Sequence, residues 1–122
     1  MKYPEMIATV ASRASIARDE AEAITRATLT TLGERITGDE ADDLAAQLPA
    51  ELQSVLITTP DEAERFGLDE FVERVSERAG MVPDDAEEAI PAVFHTIEDA
   101  ISPGEFEDVM SQLPDELRAL AL

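Results

Sequence analysis

Cysteine and tryptophan are missing from this chain of 122 residues, and lysine occurs once, at Lys2. Without cysteine there is no disulfide, no thiolate nucleophile and no sulfur-ligated zinc, a composition that fits a reducing compartment. Long apolar runs are lacking too. Nothing approaches the ~20 residues needed to cross a bilayer, and Met1-Lys2-Tyr3-Pro4-Glu5 leads into an amphipathic stretch instead of a signal peptide. The expectation is a soluble, cytoplasmic protein with no membrane partner.

Positive charge is the other scarcity. Nine Lys and Arg stand against 28 Asp and Glu, giving a net charge of −19 and a pI near 4.1. Nucleic acid and anionic lipid would be repelled, because both are recognised through clustered Lys and Arg. A basic protein partner, or mimicry of DNA, is compatible with such a field. The acids are spread over every expected helix, as on a halophilic protein: the Debye length falls from ~8 Å at physiological salt to ~3 Å at 1 M, so self-repulsion fades in brine. GC-rich coding, which also favours Ala and Arg over Lys, is the alternative origin.

What the chain does have is an internal echo. Gln47-Leu48-Pro49-Ala50-Glu51-Leu52 returns as Gln112-Leu113-Pro114-Asp115-Glu116-Leu117, 65 residues later and without a gap. Over this alignment about sixteen of some fifty pairs are identical, where chance gives roughly three or four, as internal duplication predicts. Apolar positions match in character, among them Met6 with Phe71, Leu29 with Phe94 and Leu44 with Val109. The expected organisation is a first helical repeat over 1–57, a linker over 58–67 punctuated by Pro60 and Gly67, and a second repeat over 68–122. A half of ~60 residues buries too little surface to be comfortable alone, so the two are expected to pack as one compact unit.

The order of an amphipathic opening from Phe71 to Gly80, an Asp84-x-Ala86-Glu87 helix start, Gly104-Glu-Phe-Glu-Asp-Val109 and Gln112-Leu-Pro resembles the bacterial and archaeal domain-of-unknown-function family numbered 2267, in two tandem copies. The first half departs from it at Asp39 and Ala41, which stand where the second has Gly104 and Phe106. The resemblance implies an all-helical fold and carries no activity or catalytic residues.

The periodicity agrees with an all-α class. Residues 4–14 carry a stripe of Met6, Ile7, Val10 and Ala14, and residues 69–79 repeat it as Phe71, Val72, Val75 and Ala79. Longer helices follow over about 18–36 and 83–101, with Ile24, Leu29, Leu32 and Ile36 on one apolar side and Ile90, Val93, Phe94, Ile97 and Ile101 on the other. Asp19, Glu20, Asp84 and Asp85 favour their first turns, where the helix dipole welcomes negative charge. Pro91 predicts a kink or break. Thr37-Gly-Asp-Glu40 and Ser102-Pro-Gly-Glu105 read as capping boxes, in which the glutamate reaches back to the cap residue's own amide. Each starts a third helix, ended by the Leu-Pro step and followed by a short fourth. No segment alternates as a strand. The expected architecture is a tandem duplication of a four-helix unit, about eight helices packed around a shared core with a pseudo-two-fold relation. A continuous helical stack is the alternative.

Chemistry is sparse. His95, the one histidine, is expected to be buried or half-buried on its helix; it lacks the Glu-x-x-His spacing of a di-iron bundle, and Asp39, Asp42 and Asp43 lack the pattern of a calcium loop. No catalytic residue, cofactor or metal ligand is assigned. Polar positions that recur in both halves stand out: Arg13 with Arg78, Asp19 with Asp84, Glu22 with Glu87, Glu40 with Glu105, Asp43 with Asp108 and Gln47 with Gln112. Capping and ion pairing account for most of them. Asp43, Gln47, Asp108 and Gln112, one helical turn apart within each half, are the candidates for a partner-binding groove. The expected function is that of a non-enzymatic protein–protein interaction module, accessory or stress-related. The alternative is a small-ligand or cation-binding protein that uses recurrent carboxylates at the repeat interface. Leu120 and Leu122 could support a homodimer or pack on their own domain.

Overall fold

Proline, glycine and hydroxyl residues divide the chain into helices whose boundaries recur at a fixed interval. A computed structural model describes residues 1–56 and 62–122. In it, α1 (Tyr3–Ala14), α2 (Arg18–Arg35), α3 (Gly38–Gln47) and α4 (Ala50–Leu56) each begin 65 residues before α5 (Leu68–Ala79), α6 (Pro83–Ala100), α7 (Pro103–Ser111) and α8 (Asp115–Arg118). A 3-10 turn, Ala119–Ala121, continues α8, and no strand occurs among the described residues. The linker expected over 58–67 lies partly outside those residues. α1 and α5 both close on a left-handed residue, Ser15 at φ 57° and Gly80 at φ 69°, which turns the chain sharply into the long helix that follows.

The helices α1, α2, α5 and α6 form the centre. α1 lies against α2 and also against α6, while α5 lies against α6 and also against α2. Each short helix thus spans from its own long helix to the other one, and the two sets of four share a single core. Met6, Val10, Leu29, Phe71, Val75, Ile90 and Phe94 are wholly buried in it. The rings of Phe66, Phe71 and Phe94 follow one another at 6.4 and 6.1 Å, within the range where tilted aromatic pairs attract. Phe66, just before α5, is sealed by the Arg74 guanidinium 4.0 Å above its ring and by Arg35 Nε, which donates to its carbonyl at 2.8 Å.

The break that Pro91 could have made does not occur, and α2 buries residues its apolar stripe does not mark. α6 runs unbroken from Pro83 to Ala100 through Pro91. The carbonyl deprived of a donor belongs to Glu87, an exposed residue, so water can satisfy it. α2 buries more than its apolar stripe: Thr25, Thr28 and Thr31 have no exposure at all. A helix packed against α1, α4, α5 and α6 keeps only a narrow solvent face, which includes Glu22, Arg26 and Thr30, and its other sides are covered. Thr31 and its counterpart Thr96 satisfy their hydroxyls by donating to the carbonyls of Ala27 and Ala92 at 2.8 and 2.7 Å.

α4 approaches α2 closely at Gly33, where an added Cβ would stand 3.2 Å from the Leu56 carbonyl oxygen. The matching position on α6 is the exposed Glu98. There the terminal turn is held instead by His95, whose Nε2 lies 3.1 Å from the Ala121 carbonyl oxygen. His95 is half-buried, as its place on the helix leads one to expect. Leu120 packs against the core, whereas Leu122 is 95% exposed. Among the described residues, no helix is long and apolar enough to cross a membrane.

Candidate functional site

α3 and α7 meet at the edge of the core, and the recurrent polar residues gather where they do. Thr37 caps α3 by accepting from the Glu40 amide at 3.3 Å, and Ser102 caps α7 by accepting from the Glu105 amide at 3.2 Å. In a complete capping box the glutamate side chain would accept from the cap residue's amide. That half of the expectation is overturned. The Thr37 amide donates to Gln112 Oε1 at 2.8 Å, and the Ser102 amide donates to Gln47 Oε1 at 2.7 Å. Each glutamine then donates its Nε2 to the hydroxyl of the same cap residue, both at 3.3 Å. The end of each helix therefore caps the start of the other, which makes the pair antiparallel.

Glu40 and Glu105, displaced from the amides they would have held, turn toward one another across the seam. Carboxylate oxygens of Glu40, Asp43 and Glu105 all lie within 4.8 Å of one another. Glu105 is only 8% exposed, and the Oε2 atoms of both glutamates are buried without a hydrogen-bond partner. Burial pushes the Glu105 carboxyl up from 4.5 to about 8, with the adjoining Glu40 as the next cause and Asp43 and Asp108 adding to it. All four expected groove residues are thus at this seam, but Gln47 and Gln112 are engaged in internal hydrogen bonds. Glu40 and Glu105, expected as caps, hold the unsatisfied positions. Their recurrence 65 residues apart was visible in the sequence; their confrontation was not.

Because Glu105 holds its proton more tightly in the folded chain than at the ordinary 4.5, its contribution to stability is complete below that value. It is lost as pH rises toward about 8. In metal-free buffer, Glu105→Gln should flatten the fall in urea midpoint between these two values and raise the midpoint at the alkaline end. Parallel midpoint curves for the two proteins would show that Glu105 does not titrate there.

The recurrent arginines, Arg13 and Arg78, are reciprocal as well. Arg13 reaches from α1 to Thr96 and Asp99 on α6, at 3.2 and 2.5 Å, and Arg78 reaches from α5 to Thr31 and Glu34 on α2, at 2.9 and 2.7 Å. Glu34 also accepts from Arg74 at 3.0 Å, and these guanidinium groups, Arg78 first, hold its carboxyl below the ordinary range. With their arginines committed in this way, the carboxylates on the outer face of α5 and α6 stand alone. Among the described residues, Asp69, Glu73, Glu77, Asp84, Asp85, Glu87 and Glu88 join no ion pair. An open cleft of about 450 Å³ runs between Asp69, Glu73 and Glu77 on one side and Pro83 and Glu87 on the other. Val82, beside it at the start of α6, is 60% exposed.

No curated protein matches this chain. The model of the uncharacterized conserved protein family DUF2267 matches residues 3–120, from α1 through the 3-10 turn. On a match of that extent, through both sets of four helices, the chain belongs to the DUF2267 family.

Proposed function

We propose that the chain is a non-enzymatic helical interaction module, built by tandem duplication, that receives a cationic, partly apolar protein segment on the face between α5 and α6. The observation that carries this is the unpaired acidic lining of an open cleft, with an exposed valine, Val82, next in the chain to its lining residue Pro83. A rim of one sign steers a partner of the other and fixes its register, while an apolar residue beside it supplies the part of the contact that salt does not screen. The nearby arginines Arg74 and Arg78 are already held by Glu34, Glu64 and Glu70, so they do not neutralise the face. A cytoplasmic setting accords with the cysteine-free composition.

The test is titration of the protein into a labelled amphipathic peptide of arginine and leucine, read by fluorescence anisotropy. The paired substitutions Glu73→Gln and Glu87→Gln should weaken binding by roughly three- to tenfold at physiological salt, as loss of two rim charges implies. Val82→Ser should weaken it at high salt as well. Equal affinity for all variants would place any binding elsewhere and remove this face from consideration.

A further inference from the structure

We infer that Glu40, Asp43 and Glu105 form a binding site for a hard divalent cation in the seam between α3 and α7. Three carboxylate oxygens within 4.8 Å of one another can share an ion whose oxygen ligands stand at ~2.0–2.6 Å, with water completing the shell on the exposed side of Asp43. The second observation is independent of their proximity. Glu105 is more than nine-tenths buried, and its Oε2, like that of Glu40, is buried without a hydrogen-bond partner.

The contrast with Glu34 shows what the fold does with a partly buried carboxylate when no ligand is involved. Glu34 is met by two guanidinium groups, Arg74 and Arg78. At the seam, Glu40, Asp43 and Glu105 join no ion pair among the described residues. Two like charges in a sheltered place repel, and a cation between them reverses the sign of that interaction. The cross-caps explain how the arrangement persists: with Gln47 and Gln112 on the cap amides, neither glutamate can return to its own helix start. An all-oxygen donor set selects calcium, magnesium or manganese over zinc or copper, which favour nitrogen and sulfur.

The experiment uses the full chain, stripped with EDTA and held at constant ionic strength in KCl, with calcium chloride and magnesium chloride titrated separately by calorimetry. One-to-one saturable binding is expected for at least one ion, with half-saturation below ~1 mM, the weak end of the range that oxygen-ligated calcium sites span. A rise in thermal midpoint with ion concentration should accompany it. Glu105→Gln and Asp43→Asn should each weaken binding by about tenfold or more, at least what loss of an outer-shell partner costs. Asp43 is exposed, so its variant will fold even if the seam tolerates little. Glu5→Gln, an exposed acid on α1 away from the seam, should bind as the parent does. No saturable heat up to ~10 mM of either ion would overturn the inference. So would equal binding by the Asp43→Asn variant, or equal losses in all three variants, which would indicate diffuse counterions.

Discussion

Phe94→Ala should remove about 3–5 kcal/mol of stability, more than any other single truncation in the chain except that of Phe71. Phe94 has no exposure, lies on α6 at the end of the aromatic series from Phe66 through Phe71, and belongs to the core that both sets of helices share. Nothing on a wholly enclosed site can collapse freely into the space a phenyl ring leaves, so a cavity term adds to the lost burial. Native domains are stable by only ~5–15 kcal/mol, so the variant would lose a large fraction of its margin. Denaturation in urea, followed by helical circular dichroism, should show the midpoint fall with an unchanged slope. Phe106→Ala is the control. That ring sits on α7 only partly buried against the core, and its truncation should cost less than half as much. If the two losses were equal, α6 would not occupy the centre of the molecule.

The apolar residues made this core legible in advance because their spacing is a local property. Met6, Ile7 and Val10 on α1, and Phe71, Val72 and Val75 on α5, are buried on the stripe that periodicity marks. The helix starts are local too, since Pro83 and Pro103 set the backbone angle of a first turn whatever lies beyond. Where the sequence misled, a distant partner had displaced a local one. A capping box is recognised within four residues, but the amides of Thr37 and Ser102 are taken by glutamines 75 and 55 positions away. No pattern confined to one helix start contains that competition. Likewise Thr25 and Thr28 lie off the apolar side that spacing marks on α2, yet the helices packed on it bury them, and their hydroxyl oxygens have no partner. The groove residues Asp43, Gln47, Asp108 and Gln112 were singled out by recurrence, which located the seam. Recurrence cannot say which members of a recurrent set will be satisfied, because that depends on how the two sets face each other.

The thermal midpoint should climb steeply between ~0.1 and ~2 M KCl, by at least ~10 °C, with most of the gain below ~1 M. Twenty-eight acids and nine bases leave a net charge of −19 on 122 residues, and folding draws these charges together. The Debye length falls from ~10 to ~3 Å between 0.1 and 1 M, less than the separation of most surface charges in a domain of this size, so little repulsion is left to screen beyond that point. Salt also weakens attractive pairs. Exposed ones such as Arg118 with Asp115 contribute only ~0–1 kcal/mol at the outset, and the half-buried Glu34 with its arginines is screened less than the open surface. The sum therefore favours the folded state as salt rises. Sucrose separates this cause from a general strengthening of burial, because it is excluded from protein surfaces without screening charge. A gain in KCl that levels off and that sucrose does not reproduce supports repulsion as the limiting factor. A flat response would mean that the acids are far enough apart to be tolerated in ordinary salt, and an adaptation to brine would no longer explain their number.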